Sequence, residues 1–106
     1  MLLRGGDISK GAVLGQVEDL FEVAAYDEDA VLAMLTDADA EMRRRAKVLK
    51  AARRDPVNPR SKWGADLGPA IVIMLDEAHE FGDNSEIVDK IEDIARIGRE
   101  TCVSVL

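Results

Sequence analysis

Residues Ala70 to Leu75 read A-I-V-I-M-L, six apolar side chains without a polar break, and two carboxylates, Asp76 and Glu77, follow at once. An apolar run of this length with no alternation suits a strand buried on both faces, as in a parallel sheet covered by helices. The acids then emerge where the strand ends. In open parallel sheets that is the edge at which ligands bind. Parallel strands also need long crossovers, so helices must lie between this strand and its neighbours.

The flanking sequence supplies them. Val31, Leu35, Ala38, Met42, Ala46 and Leu49 recur every three or four residues and predict one apolar face of a long helix, from about 28 to 53. Asp27, Glu28 and Asp29 stand at its start, where the positive end of the helix dipole favours acids, and basic residues fill its last turns. Asp55-Pro56 ends it, because a residue before proline avoids the helical region. Ile87, Ile91, Ile94 and Ala95 predict the buried face of a second helix ending near Arg99, with Asp83 and Glu86 at capping-box spacing. Met1 to Arg4 reads as a short strand stopped by Gly5-Gly6, and residues 102–106 as a further strand that includes Cys102.

Two stretches are expected to be irregular. In 7–26, Val13, Val17 and Leu20 have helical spacing, but Gly11 and Gly15 oppose a stable helix, so Leu14, Leu20 and Phe21 are read as tucked onto the core. In 55–69, Pro56, Pro59, Gly64, Gly68 and Pro69 punctuate a linker whose one anchor is Trp63. The expected order is strand, helix, strand, helix, strand. Right-handed crossovers make this a three-stranded parallel sheet with two main helices, in the spatial order 1–5, 70–75, 102–106.

At 106 residues the chain is one domain at most, small for an α/β nucleotide-binding core. No apolar run approaches a membrane span of about 18 residues, and no apolar stretch of signal-peptide type follows Arg4. Direct membrane contact by this stretch is therefore not expected. The single cysteine, Cys102, permits no intrachain disulfide and suits a reducing compartment, the cytoplasm. The net charge of −7 conceals an asymmetry: nine cations and one acid lie between Arg43 and Lys62. Such a block is either a polyanion contact or the solvated face of a helix.

An apolar strand ending in Asp-Glu is also the Walker B arrangement. There the Asp holds the hydration shell of Mg²⁺ and the Glu polarises the water that attacks the γ-phosphate of ATP. A complete site needs a phosphate loop, G-x-x-x-x-G-K-[ST]. The nearest candidate, Gly6 to Gly11, is followed by Ala12-Val13 and fails that pattern.

Several segments then line up in one order: Leu2-Leu3-Arg4-Gly5-Gly6, Ala40-Glu41-Met42-Arg43-Arg44-Arg45, Pro69 to Ala78, and Ile94-Ala95-Arg96-Ile97-Gly98-Arg99 leading into Cys102 to Leu106. Together they resemble the motor domain of FtsK/SpoIIIE-type DNA translocases, relatives of HerA. Members show a D-x-K-G-G-like strand end, an E-M-x-R-R helix, an apolar strand ending in Asp-Glu and an A-R-x-G-R helix before a strand ending L-A-T-Q. The likeness is loose over 7–40 and closer over 40–106. Arg4 and His79-Glu80 depart from the family pattern.

The resemblance implies an incomplete RecA-like P-loop NTPase core, the Walker B half of an ATPase motor spanning 1–106. The Walker A loop is expected before Met1 and the L-A-T-Q strand end after Leu106. The implied activity is ATP-driven movement of double-stranded DNA, in chromosome partitioning or conjugative transfer, by a homo-hexamer of the complete domain. Any membrane anchor of the complete protein is expected outside this stretch. The implied cofactors are ATP and Mg²⁺, with Asp76 on Mg²⁺ through water and Glu77 as general base. His79 is implied either at the γ-phosphate or in relaying its loss, against a plain role in satisfying local backbone. Arg43, Arg44, Arg45, Arg96 and Arg99 are alternatives for an arginine acting on a neighbour's nucleotide or for a DNA contact. Without a phosphate loop the isolated chain is expected to be inactive. Asp76-Glu77-Ala78-His79 also spells the DEAH-box helicase signature, and a third reading is a non-catalytic interaction remnant of a P-loop fold.

Overall fold

The computed structural model describes residues 1–7, 23–76 and 83–106. Over these the chain forms β1 (Leu2–Asp7), β2 (Val23–Ala25), α1 (Glu28–Ala52), β3 (Ile71–Asp76), α2 (Ser85–Thr101) and β4 (Val103–Val105). The strands make one sheet in the order β2-β1-β3-β4, and every pairing is parallel. The central place of β3, with β1 on one side and β4 on the other, is as expected.

The sheet has four strands rather than three. The extra one, β2, comes from the stretch read as irregular. It pairs Val23, Ala24 and Ala25 with Arg4, Gly5 and Gly6. Those two glycines do not stop β1 but lie inside it, and the strand continues to Asp7. Gly6 is needed where it is: a Cβ there would sit 2.9 Å from a Leu75 methyl and 3.0 Å from a Val31 methyl. Its absence lets α1 lie close over β1 and β3. Val13, Val17, Leu14, Leu20 and Phe21 fall outside the described residues.

Both helices pack on the same side of the sheet, against each other and against Ile71 and Ile73. Val31, Met34, Leu35, Ala38, Met42 and Leu49 are the buried apolar residues of α1. Ile87 and Ile94 perform that role in α2, each burial contributing on the order of 2 kcal/mol. The buried face of α2 continues through Gly98 and Thr101, while Ala95, expected inside, is exposed. The double-sided burial expected of β3 is corrected too. Ile71 and Ile73 are buried, but Met74, on the opposite face, is 42 % exposed.

Asp27 caps α1 by accepting from Ala30 N–H. Asn84, not Asp83, caps α2, accepting from Ile87 N–H at 3.2 Å. Cys102 is not part of a strand. It closes α2 in the left-handed conformation (φ 56°), a position usually given to glycine, and its N–H donates to Gly98 O.

The linker is held as expected by Trp63, which is buried. Its N–H donates to Glu100 O, its indole Nε1 to Gly68 O, and its carbonyl accepts from the Cys102 thiol. Among the described residues no helix is long and apolar enough to cross a membrane.

Candidate functional site

Asp76 is the last residue of β3, at the carboxyl edge of the sheet, where the sequence placed it. The register adds a residue that sequence reasoning did not single out. Asp7 ends β1 and is the Cα partner of Asp76. Two acids therefore close two neighbouring central strands at the same level. The signal was present, an acid directly after Leu-Leu-Arg-Gly-Gly, but reading the glycines as a stop hid it.

The strand order makes this the place where a ligand is expected. β1 connects to β2 on one side, and β3 connects to β4 on the other. The connections thus part in opposite directions between β1 and β3, which is the topological switch point at which open α/β sheets bind ligands. Glu77 and His79 lie outside the described residues.

The basic candidates are elsewhere. α1 runs from the carboxyl end of β2 back to the amino end of β3, so Arg43, Arg44 and Arg45 lie in its returning half. Arg45 is the clearest case. Its side chain is almost fully enclosed. It donates from Nη1 to Thr101 O at 2.9 Å, from Nη2 to Pro69 O at 2.7 Å and from Nε to Glu41 at 3.2 Å. The guanidinium also stacks 4.6 Å from the centroid of the Trp63 ring. Thr101 and Pro69 stand two residues before the starts of β4 and β3, so Arg45 joins the amino edge, about 17 Å of strand away from Asp76. Its burial leaves it no surface for DNA or for a neighbour's nucleotide.

Arg44 is exposed and held bidentately by Glu41. That contact first, then burial against it, then Arg45, sets the Glu41 carboxyl below its ordinary range. Arg43 bridges Asp39 on its own helix and Asp93 on α2. Burial alone would push Asp39 up, but hydrogen bonds from Arg43 and Lys90 outweigh it and hold the carboxyl low. The second Asp39 oxygen is buried with no partner among the described residues. Arg96 pairs with Asp93 at 2.8 Å. Arg99 is exposed near the end of α2, beside the start of β4.

Five of the nine cations of the basic block are thus paired with acids of the chain. Arg53 pairs with Glu100 and Arg60 with Asp66 in addition to the pairs of Arg43, Arg44 and Arg45. Lys47, Lys50, Arg54 and Lys62 have no ion pair among the described residues. A cleft of about 510 Å³ opens at the amino edge between Arg4, Asp37, Arg44 and Pro69, with Arg4 bound to Asp37 at 2.9 Å.

Compared with family models, curated proteins and solved structures, the chain matches none of them. The functional reading stands on the residues and their placement. The acids suit a hydrated divalent cation, because Mg²⁺ is commonly held through one or two carboxylates plus waters and substrate oxygens. A triphosphate is less well served. The described residues contain no glycine-rich turn leading into a helix, and the sequence has no lysine in the position a phosphate loop requires.

Proposed function

We propose that this chain is the Walker B portion of an ATP-driven motor that moves double-stranded DNA, built on an incomplete RecA-like core of the FtsK/SpoIIIE kind. The observation that carries the reading is the position of Asp76: the end of a central parallel strand, beside Asp7, at the switch point of the sheet. In this reading Asp76 orients water on Mg²⁺, and Asp7 stands close enough in register to share that task. Glu77, next in sequence, accepts the proton of the attacking water. Bound Mg²⁺ supplies charge neutralisation at the phosphates. Arg43, Arg44, Arg96 and Arg99 remain as surface cations for a neighbouring subunit or for DNA in the hexamer of the complete domain.

The deciding experiment is Glu77→Gln within a complete motor that contains this segment and a phosphate loop. The amide keeps the shape but accepts no proton, so turnover should fall by about three orders of magnitude while ATP stays bound. Hydrolysis at a near-normal rate removes Glu77 from the mechanism. In the flanking sequence, an upstream G-x-x-x-x-G-K-[ST] supports a motor, and a downstream A-T-Q rather than S-A-T separates a translocase from a DEAH-box helicase.

One observation favours a second reading. The order β2-β1-β3-β4 is also that of the first four strands of flavodoxin-like sheets, whose ligand sits at the same β1/β3 position. A non-catalytic module that holds a cation with Asp7 and Asp76 would use the same geometry. Mg²⁺ binding by the isolated chain, lost in both Asp7→Asn and Asp76→Asn, would support it.

A further inference from the structure

Lys47, Lys50 and Arg54 follow one another at spacings of three and four residues, so they share one face at the end of α1. The helical turn carries on as far as Arg54, whose N–H donates to Ala51 O at 3.2 Å. Lys47 is two residues past the enclosed Arg45, about 200° round the helix, which turns it away from the sheet. All three side chains are exposed. The arginines around them, Arg43, Arg44, Arg45, Arg53 and Arg60, each have an acid. Among the described residues these three cations have none. Asp55, the one acid of the block, accepts from the N–H groups of Val57 and Asn58 at 2.9 and 3.1 Å and so serves its own turn. Like charges at these spacings destabilise a helix. A chain with 21 acids nevertheless leaves this ridge without one, which keeps it available to an anion from outside.

The shape of the ridge narrows the choice of anion. From Lys47 to Arg54 is about 10 Å at the rise of a helix. One strand of a nucleic-acid duplex presents about three charges in that length. Unpaired bases would call for aromatic platforms, and among the described residues no aromatic side chain is exposed; Trp63 is buried. The other end of α1 carries the opposite sign, with Asp27, Glu28 and Asp29 exposed. Asp29 lies about 27 Å from Lys47 along the helix, well beyond a screening length of about 10 Å at 0.1 M salt. A polyanion is therefore drawn to one end of α1 and kept from the other. A helix laid on a sheet face keeps its far side outermost, so the ridge is compatible with a complete RecA-like core.

We propose that Lys47, Lys50 and Arg54 form a contact for the phosphate backbone of double-stranded DNA. The contact is independent of base sequence, because side chains that meet phosphates position a duplex without reading it. It deepens the DNA-moving reading given above and rests on it for the class of the partner. It also places the DNA. The ridge is at the amino edge of the sheet, where α1 ends, and Asp76 is at the carboxyl edge. The duplex and the candidate nucleotide acids thus occupy opposite ends of the same layer, with α1 running between them.

Fluorescence anisotropy of a labelled duplex of about 20 base pairs, titrated with the chain in about 50 mM salt, should give a Kd on the order of 100 µM. The logarithm of the binding constant should fall with the logarithm of salt at a slope near −3, about −0.9 for each phosphate neutralised. A single-stranded oligonucleotide of the same length should bind about fivefold more weakly. Lys47→Ala, Lys50→Ala and Arg54→Ala should each weaken duplex binding about threefold and take about one from the slope, and the triple variant should abolish it. All three positions are exposed and alanine favours helix, so the circular dichroism spectrum should not change. Arg96→Ala, which removes a cation already paired with Asp93, should change affinity by less than about twofold. No duplex binding at this salt, binding that survives the triple variant, single strands bound as tightly as the duplex, or poly-glutamate competing as well as DNA would each overturn the proposal. No nucleotide enters these measurements. A failed ridge beside a Glu77→Gln motor that holds ATP without turning it over leaves the Walker B reading standing, and the reverse pair of results leaves the ridge standing.

Discussion

Arg45 shows what one side chain contributes when three segments meet on it. Its guanidinium satisfies the carbonyls of Pro69 and Thr101, pairs with Glu41 and covers the face of Trp63. Removing it strands two acceptors near the sheet's amino edge and leaves an acid without its second cation. Arg45→Met keeps much of the volume but none of the donors, and it should cost about 3 kcal/mol or more in urea denaturation. Arg45→Lys should recover only part of this, because an ammonium cannot fork to two carbonyls and stack on a ring together. Glu41 carries a pH prediction. Its carboxyl is held low in the folded chain, chiefly by Arg44. A depressed folded pKa gives stability that is present above the unfolded value of about 4.3 and is lost as pH falls through the folded value. The denaturation midpoint should therefore drop as pH goes below about 4.5, and Glu41→Gln should flatten that fall while lowering stability at neutral pH. Asp39 acts in the same direction.

At the scale of elements, the contact between α2 and β4 depends on an absence. Gly98 lies so close to the backbone of Val103 that a methyl group there would overlap a carbonyl oxygen. Backbone cannot swing aside as a side chain can. Gly98→Ala should therefore destabilise by about 3 kcal/mol despite the better helix propensity of alanine, read as a shift in the urea midpoint without a change in slope. The elements differ in how plainly the sequence announces them. α1 declares itself through six periodic apolar residues, acids at its start and Asp55-Pro56 at its end, and β3 through an unbroken apolar run. β2 does not, because three residues, Val23 to Ala25, carry no period of their own and become a strand only by pairing with β1. Spacing alone predicts a buried Ala95, which is exposed. The helix instead turns Gly98 and Thr101 inward, because the close approach to β4 selects a small residue there rather than an apolar one. Cys102 has the composition of a strand residue, and only the backbone geometry makes it a cap.

For the molecule as a whole, the sheet edge that bears Asp76 was legible because an apolar run must be buried and its acids must not. Asp7 was not, since its neighbourhood with Asp76 is a fact of register between strands far apart in sequence. The basic block looked like a candidate polyanion surface because sequence shows charges and not partners, and much of it is spent on internal pairs. The missing phosphate loop leads to a prediction for the entire chain. Acids alone cannot cradle a triphosphate, so calorimetry should detect no Mg²⁺-ATP binding tighter than about 100 µM and no hydrolysis by the isolated protein. A micromolar affinity would require a phosphate site made by other means. The knot around Arg45 has one more consequence, which is optical. Trp63 is the only tryptophan of the chain, with Arg45 over its face and the carbonyl of Gly68 at its Nε1 edge. Its emission therefore reports on one locality, the meeting of linker, α1 and the end of α2. A shift of that emission to the red before the helical signal is lost would time the release of the linker separately from the melting of the helices.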